Sequence, residues 1–497
     1  MTYAFYFDSS SCSGCKACQA ACKDKNNLPL GVLWRRVYEI SGGEWTNVGA
    51  EGFRPVWENT VFAYNLSIAC NHCIHPKCAG VCPVDAYEVR PDGIVLINTQ
   101  KCIGCGYCAW ACPYDAPQVD QCAGHMTKCN LCYDNLDAGL PPACVAACPM
   151  RCLELVESND QRIEDKGLIL WEIPGVEHPF PLPKFSRTEP HLVVKPSPAM
   201  LNGLEKVVAN REEIQPRRHQ VTKKIIPAWL RAFVVHAWGE VPLIVFTLLA
   251  QMAIGAFGTI LMFYWGLSDK LFAGRITFVP LLAVGAAVTV ALLVSFFHLG
   301  TPKNAWRALN HLRKSWLSRE ILFTSGFAGL WAILTGLILF QIGTFSVWTS
   351  LAALTAICGL AALYCMQRVY QLRSVPAWNT GRTLLEFSIS TMGLGCLLTG
   401  ALLPREAPAG VLVWIALAGI IAFLAAIRVN MSTASIDNIK LSKWRAGLLL
   451  TGLLGAVALS IWPSEAGKGS WFLIFVIALA EEVIGRWLFY ARRNPGI

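Results

Sequence analysis

Charged residues are scarce in this sequence. Lysine, arginine, aspartate and glutamate make up 15% of its 497 residues, where an ordinary soluble domain carries about 25%. With 54% apolar residues and a mean hydropathy of +0.43, a disordered chain is excluded and an all-soluble one disfavoured. Histidine is also sparse, and none of the nine falls in the middle of a long apolar run. A pair of axial haem ligands on facing membrane helices is therefore missing. No nucleotide fingerprint and no hydrolytic triad can be found, so substrate chemistry is expected on another chain. The opening stretch MTYAFYFDSSSC lacks a basic region and an apolar core, and is not read as a secretory signal. Arg35-Arg36 follows the first cysteines, so it is not read as a twin-arginine signal. A disulfide framework is disfavoured accordingly, because disulfides persist in oxidising compartments. The formal charge of +9, in so apolar a chain, fits basic loops on a lipid bilayer and not a nucleic-acid partner.

Cysteine is plentiful and unevenly spread: eighteen of 21 lie between Cys12 and Cys152. Sixteen fall into four sets. Cys12, Cys15, Cys18 and Cys22 follow C-x2-C-x2-C-x3-C, as do Cys102, Cys105, Cys108 and Cys112. Cys70, Cys73, Cys78 and Cys82 follow C-x2-C-x4-C-x3-C, and Cys129, Cys132, Cys144 and Cys148 follow C-x2-C-x11-C-x3-C. Proline follows the last cysteine in three sets, as Pro83, Pro113 and Pro149. This is the bacterial ferredoxin pattern, in which three close thiolates hold one cluster and the fourth serves its partner. Four zinc sites are the rival reading, since C-x2-C is also a zinc knuckle, but zinc has no use for a Cys-Pro terminus. Cross-ligation pairs the second and third sets: Cys70, Cys73 and Cys78 with Cys112, and Cys102, Cys105 and Cys108 with Cys82. By elimination the first and fourth sets pair: Cys12, Cys15 and Cys18 with Cys148, and Cys129, Cys132 and Cys144 with Cys22. Cys122 and Cys152 are left over as packing residues.

Residues 155–225 are polar and proline-rich and read as an extended connector. The aromatic, amphipathic stretch over 225–240 suits a membrane interface. Eight apolar runs follow, near 241–266, 276–298, 320–341, 345–366, 384–403, 410–428, 445–462 and 471–490. Each is long enough to cross a hydrocarbon core, which takes about 20 residues. The fold class is thus an α+β ferredoxin-like iron–sulfur domain followed by an all-α bundle of eight transmembrane helices. The boundaries are 1–155 for the cluster domain, 156–235 for the linker and interfacial segment, and 236–497 for the membrane anchor.

An even number of spans puts the head, three of the loops and the C-terminus on one side. Those three loops carry twelve basic residues, from Lys303 to Arg445, against four on the other side (Lys270, Arg275, Arg405, Lys468). The positive-inside rule places the head and C-terminus in the cytoplasm. His298 ends the second span and Glu320 begins the third, at the head-side interface. Such ionisable groups either serve proton-coupled quinone chemistry or merely finish and start helices. Arg368, Glu386, Glu481, Glu482 and Arg486, near or within spans, have the same two readings: proton or quinone chemistry, or intramembrane pairing.

The stretches FYFDSSSCSGCKACQAACKD, LWRRVYEISGGEW, FAYNLSIACNHC, CIGCGYCAWACPYDAPQ and GHMTKCNLCYDNL resemble the four-cluster iron–sulfur subunit of the dimethyl sulfoxide reductase family, from about residue 3 to 200. The tail resembles the eight-helix anchor subunit of the same family, through EVPLIVFTLLAQ, FFHLGTPKNAWRALNHLRKSWLSREI, QRVYQLRSVPAWNT and EEVIGRWLFYAR. The chain looks like a natural fusion of two subunits that are usually separate. The resemblance implies four [4Fe–4S] clusters, since Cys105 stands where some relatives have a non-cysteine residue and a three-iron cluster. It carries His298 and Glu320 onto the family's quinol site, for menaquinol or ubiquinol. It implies a non-catalytic subunit in a bacterial inner membrane, partnered by a separate molybdopterin-containing catalytic subunit. That complex would reduce dimethyl sulfoxide or a related S- or N-oxide, or run in reverse on a sulfite-type reductant. Relatives place the cluster subunit outside the membrane, whereas the charge pattern here places it inside. A membrane-tethered redox sensor or structural metal protein is the rival from another class.

Overall fold

The computed structural model describes residues 2–42, 45–47, 57–59, 61–157, 188–198, 241–266, 278–403, 409–431, 439–461 and 468–491. Two compact units emerge, one built on Met1–Ile225 and the other on Ile226–Arg493. The interfacial reading of 225–240 lies outside the described residues.

The first unit is organised by β1 (Tyr3–Asp8), whose sequence YAFYFD is buried on both faces from Ala4 onward. Side chains alternate across a strand. Phe5 and Phe7 accordingly point into a core shared with Cys18, Cys22, Cys144 and Cys148. Ala4 and Tyr6 turn the other way and pack with Val156 and Val193. α1 (Ala17–Lys25) follows the first cysteine loop, and β2 (Arg36–Gly42) pairs antiparallel with β5 (Phe62–Ile68). Between them lies the hairpin of β3 (Trp45–Asn47) and β4 (Trp57–Asn59). Short helices α2 (Lys77–Val81), α3 (Tyr107–Ala111), α4 (Tyr133–Asp137) and α5 (Ala143–Ala146) stand beside the other cysteine loops. Two further hairpins, β6 (Tyr87–Val89) with β7 (Val95–Ile97) and β8 (Gln118–Asp120) with β9 (His125–Thr127), complete the frame.

The head does not end at residue 155. β10 (Leu153–Glu157) pairs antiparallel with β1, and β11 (Leu192–Lys195) pairs parallel with its other edge. The stretch read as linker therefore returns to close the sheet. Leu192, Val193 and Val194 are buried, the Thr188 hydroxyl meets the Tyr114 hydroxyl at 2.8 Å, and Lys195 Nζ donates to Asp8 Oδ2 at 2.8 Å. Three apolar residues and a lysine among prolines gave no periodic signal, and their partner strand is nearly two hundred residues away.

The second unit contains helices α6 (Val241–Gly266), α7 (Phe278–Ser295), α8 (Trp316–Leu339), α9 (Phe345–Tyr370), α10 (Gly381–Leu402), α11 (Ala409–Met431), α12 (Ile439–Ile461) and α13 (Lys468–Ala491). Among the described residues six, α6 to α10 and α12, are long and apolar enough to cross a hydrocarbon core. In α11 the described apolar part is the shorter Leu412–Ala426, and α13 carries Glu481, Glu482 and Arg486 in its second half. α6 packs on α7 and α8 on α9, α10 to α13 pack as a second group, and α6 lies against α10. The outer faces expose Leu293, Trp414, Leu454 and Phe472. Such a surface is costly in water and ordinary in lipid.

Candidate functional site

The C-x2-C loops share a backbone device. The residue before the second cysteine has positive φ in each: Gly14 (69°), His72 (44°), Gly104 (69°) and Leu131 (59°). That reversal curls the loop around its thiols. At Gly14 a Cβ would also lie 2.6 Å from Asn65 Oδ1, so only glycine fits there. Backbone N–H groups then point at sulfur: Gly104 N to Cys102 Sγ and Leu131 N to Cys129 Sγ, both at 3.4 Å.

The structure gathers the cysteines in four sets, each made of three thiols from one motif and the last thiol of another. Cys70, Cys73, Cys78 and Cys112 line one small cavity. Cys12, Cys15, Cys18 and Cys148 line another. Cys82 lies within electrostatic reach of Cys102 and Cys105, and Cys105 of Cys108. Cys22 lies within reach of Cys132 and Cys144, and Cys129 of both Cys22 and Cys144. The sets also adjoin in a row, through Cys108 and Cys78, then Cys70 and Cys129, then Cys144 and Cys18. Spacing alone gave two pairs and no order for the four. Cys122 is exposed, but Cys152 lies 3.5 Å from Cys148 and lines the same cavity as Cys12. It is closer to the chemistry than a packing residue.

The residues around these thiols fit iron–sulfur clusters. Burial pushes the Cys22 thiol up to about 12 and Cys78 higher still, so such thiols ionise only when a cation takes the place of the proton. Several buried donors beside them lack a hydrogen-bond partner among the described residues: Arg35 Nε and Nη2, Asn71 Nδ2 and His72 Nε2. Buried polar groups are nearly always satisfied, and sulfide or thiolate sulfur would satisfy these. Arg35 is the residue that sequence reasoning missed. It is 2% exposed, stacks 4.3 Å above the Phe5 ring, and faces Cys18, Cys22, Cys129 and Cys144. Lys128 is the second buried cation, donating to the Val95 and Cys129 carbonyls and lining the Cys70 cavity.

In the anchor, Glu320 is the fifth residue of α8 and 3% exposed. Cys365 and Tyr370 of α9 lie within its electrostatic reach. Nearby, Arg319 and Arg368 flank the Trp316 ring at 4.3 and 5.1 Å, and Arg319 donates to the Leu312 and Arg313 carbonyls. His298 closes a 3-10 turn (Phe296–His298), and its side chain lies outside the described residues. Its turn packs against the 3-10 helix Pro302–Leu309, which packs against α8. Arg486, Glu481 and Glu482 are all buried. Arg445 Nε donates to Glu481 at 2.6 Å, and Arg486 Nη2 donates to Gln251 Oε1 at 2.7 Å. The hydroxyls of Tyr370 and Tyr490 meet at 2.5 Å.

Comparison with known proteins agrees with this division. Residues 235–492 match the family model "DMSO reductase anchor subunit (DmsC)", and residues 61–158 match "4Fe-4S dicluster domain". The sequence is 46% identical over 203 residues to the B subunit of anaerobic dimethyl sulfoxide reductase from Haemophilus influenzae, covering 40% of this protein and 93% of that one. The corresponding B subunit from Escherichia coli is 44% identical over 195 residues, 39% of this protein and 89% of that one. The formate dehydrogenase iron–sulfur subunit of Wolinella succinogenes is 39% identical over 177 residues, 31% and 81%. With a cysteine-rich head like those B subunits and a helical tail like the anchor subunit, this chain belongs to the dimethyl sulfoxide reductase family and joins its iron–sulfur electron-transfer and membrane-anchor parts on one polypeptide.

Proposed function

We propose that this chain carries electrons between a membrane quinone pool and a separate molybdopterin-containing catalytic subunit. The observation that supports this most is the row of four thiol sets, each closed by a cysteine from a partner motif. When bound there, four [4Fe–4S] clusters supply one-electron carriers. The sixteen ligands are Cys12, Cys15, Cys18, Cys22, Cys70, Cys73, Cys78, Cys82, Cys102, Cys105, Cys108, Cys112, Cys129, Cys132, Cys144 and Cys148. The chain's own part is to hold the sulfurs, exclude water with Phe5, Phe7 and Tyr114, and place Arg35 and Lys128 where negative charge accumulates. Iron analysis of anaerobically purified protein should give about sixteen irons per chain and no stoichiometric zinc. Cys105→Ser should convert one cluster to a three-iron form visible by EPR. Eight irons or fewer at full loading, or zinc in their place, would favour a structural metal protein or a sensor.

Quinol, as menaquinol or ubiquinol, would bind at His298 and Glu320. Its oxidation releases two protons with two electrons, so a proton acceptor must stand within hydrogen-bond reach of a ring oxygen. Glu320 suits that role: it is buried at the start of a span, next to a loop rich in basic residues. His298→Leu should abolish cluster reduction by quinol while an artificial donor still reduces the clusters. Glu320→Gln should slow turnover by about 10²- to 10⁴-fold, the usual contribution of a positioned acid–base group, and flatten its pH dependence. Wild-type rates in His298→Leu membranes holding normal amounts of protein would remove His298 from the site. The same residues serve either direction of flow, and the head is shared with relatives named as reductases and with one named as a dehydrogenase. The substrate is then an S- or N-oxide accepting electrons, or a sulfite-type donor. The membrane is the bacterial inner membrane, with the head and C-terminus in the cytoplasm.

A further inference from the structure

The loop from Cys70 to Cys73 differs from its three sister loops in one side chain. The residue before the second cysteine has positive φ in all four, and in the others it is Gly14, Gly104 or Leu131. A left-handed backbone favours glycine. Here it is His72, at φ 44° and only 2% exposed. A polar ring is thus packed inside the head at a position where the backbone favours no side chain at all.

The loop is tied down on both sides. Val95 of β7 donates its backbone N–H to His72 Nδ1 at 3.1 Å, and its carbonyl accepts from Lys128 Nζ. The residues leading into β11 hold the loop backbone from elsewhere. The His191 N–H donates to the Asn71 carbonyl at 2.9 Å, and the Ile74 N–H donates to the Glu189 carbonyl at 3.0 Å. His191 Nδ1 donates to the His72 carbonyl at 2.6 Å.

These contacts fix where the imidazole hydrogen is. A backbone N–H can only donate, so His72 Nδ1 is an acceptor and bears no hydrogen. The hydrogen of the ring is then on Nε2. Turning the ring over would set a carbon against the Val95 N–H and leave that donor unpaired. Nε2 is buried and has no hydrogen-bond partner among the described residues, and a buried N–H seldom stays unpaired. Asn71, next in sequence, leaves both its amide oxygen and its nitrogen without partners, so it calls for no one kind of complement. His72 offers a donor alone. Arg35 and Lys128 lie within its electrostatic reach, and they too can only donate. His72 lines the same cavity as the thiols of Cys70, Cys73, Cys78 and Cys112.

Resting on the cluster reading proposed above, we infer that His72 donates its Nε2–H to a sulfur of the cluster held by Cys70, Cys73, Cys78 and Cys112, and so raises the potential of that cluster. Hydrogen bonds to the sulfurs help set the potential of such clusters, and a donor favours the reduced, more negative form. His72 is a positioning residue and not a ligand, so the iron content does not depend on it.

EPR-monitored redox titration of the anaerobically purified full chain tests this, with His72→Asn as the informative variant. The Oδ1 of asparagine can accept from Val95 as Nδ1 does, asparagine tolerates the left-handed backbone, and the Nε2–H is gone. About sixteen irons should remain. The midpoint potential of one cluster should fall by about 59 mV, a tenfold change in a one-electron equilibrium. The cluster at the far end of the row, held by Cys12, Cys15, Cys18 and Cys148, should keep its own. His72→Gln, whose amide nitrogen reaches about as far as Nε2, should restore the potential. With 15N-labelled histidine, pulsed EPR of the reduced wild type should show a nitrogen coupling that His72→Asn loses. Unchanged potentials in His72→Asn with its iron intact would overturn the inference, as would the absence of any 15N-histidine coupling in the wild type. Should His72→Asn lose iron, the labelled His191→Gln protein decides, since His191 is then no source of the signal: coupling retained supports His72, and coupling lost overturns it. Zinc in place of iron in the wild-type chain would instead overturn the cluster reading, and this inference with it.

Discussion

Arg35 shows how one side chain can set the properties of the head. It brings a permanent positive charge, fully buried, to the junction where Cys18 meets Cys22, Cys129 and Cys144. Ser67 accepts from its Nη1 at 3.2 Å and Phe5 supports its flat face. Reduction adds negative charge to a cluster, so a nearby cation favours the reduced form. Arg35→Met should therefore lower the midpoint potential of the clusters held by these cysteines. A shift on the order of 60 mV corresponds to one tenfold step in a one-electron equilibrium. Redox titration followed by EPR checks it: the cluster held by Cys82, Cys102, Cys105 and Cys108 should keep its potential. Unchanged potentials throughout would reduce Arg35 to a packing residue.

At the scale of elements, the anchor depends on one close helix crossing. A Cβ on Gly255 of α6 would lie 1.8 Å from the Thr391 carbonyl oxygen of α10, and one on Gly395 would lie 2.2 Å from the Gly255 carbonyl carbon. The obstacles are backbone, which cannot swing aside as a side chain can. Small residues at such a seam let helices approach within lipid, where no hydrophobic force drives them together. Gly255→Ala and Gly395→Ala should each cost roughly 1–3 kcal/mol or more through overpacking and lower the amount of protein recovered in membranes. Gly258, where an added Cβ would meet nothing within 4 Å, is the control. Gly258→Ala should accumulate normally, and equal loss in all three would refute the account. The head has a comparable dependence on β11, a four-residue strand that completes the sheet around β1.

For the whole molecule, membrane orientation is the property with the largest consequence, because it decides which compartment the catalytic partner occupies. The charge asymmetry that favours a cytoplasmic head included Arg445. The structure buries Arg445 and pairs it with Glu481, so its charge is neutralised inside the bundle and does not count toward the asymmetry. Twelve less this one leaves eleven against four, and the rule still points the same way. Reporter fusions after Ile497 should be active for a cytoplasm-dependent reporter and silent for a periplasm-dependent one. The opposite pattern would place the head on the other side of the membrane.

What the sequence determined by itself was whatever is local. Cysteine spacing is a property of eleven to twenty consecutive residues, so the four motifs could be read before any coordinates, and the ferredoxin pattern supplied their expected pairing. Apolar runs likewise announce helices, because a lipid-crossing segment must satisfy its own backbone. Tertiary structure alone decided what depends on distant partners. β11 finds β1 across 187 residues of sequence, as Lys195 finds Asp8, and no periodicity in four residues could announce that. The order of the thiol sets needs contacts between distant motifs, and the place of Arg35 among them follows from its packing on Phe5. Glu386, Glu481, Glu482 and Arg486 had two readings in the sequence. Only the folded chain shows Glu481 in an ion pair while the other three share a cavity with Ser390, since a charge's meaning in a membrane is set by what stands opposite it.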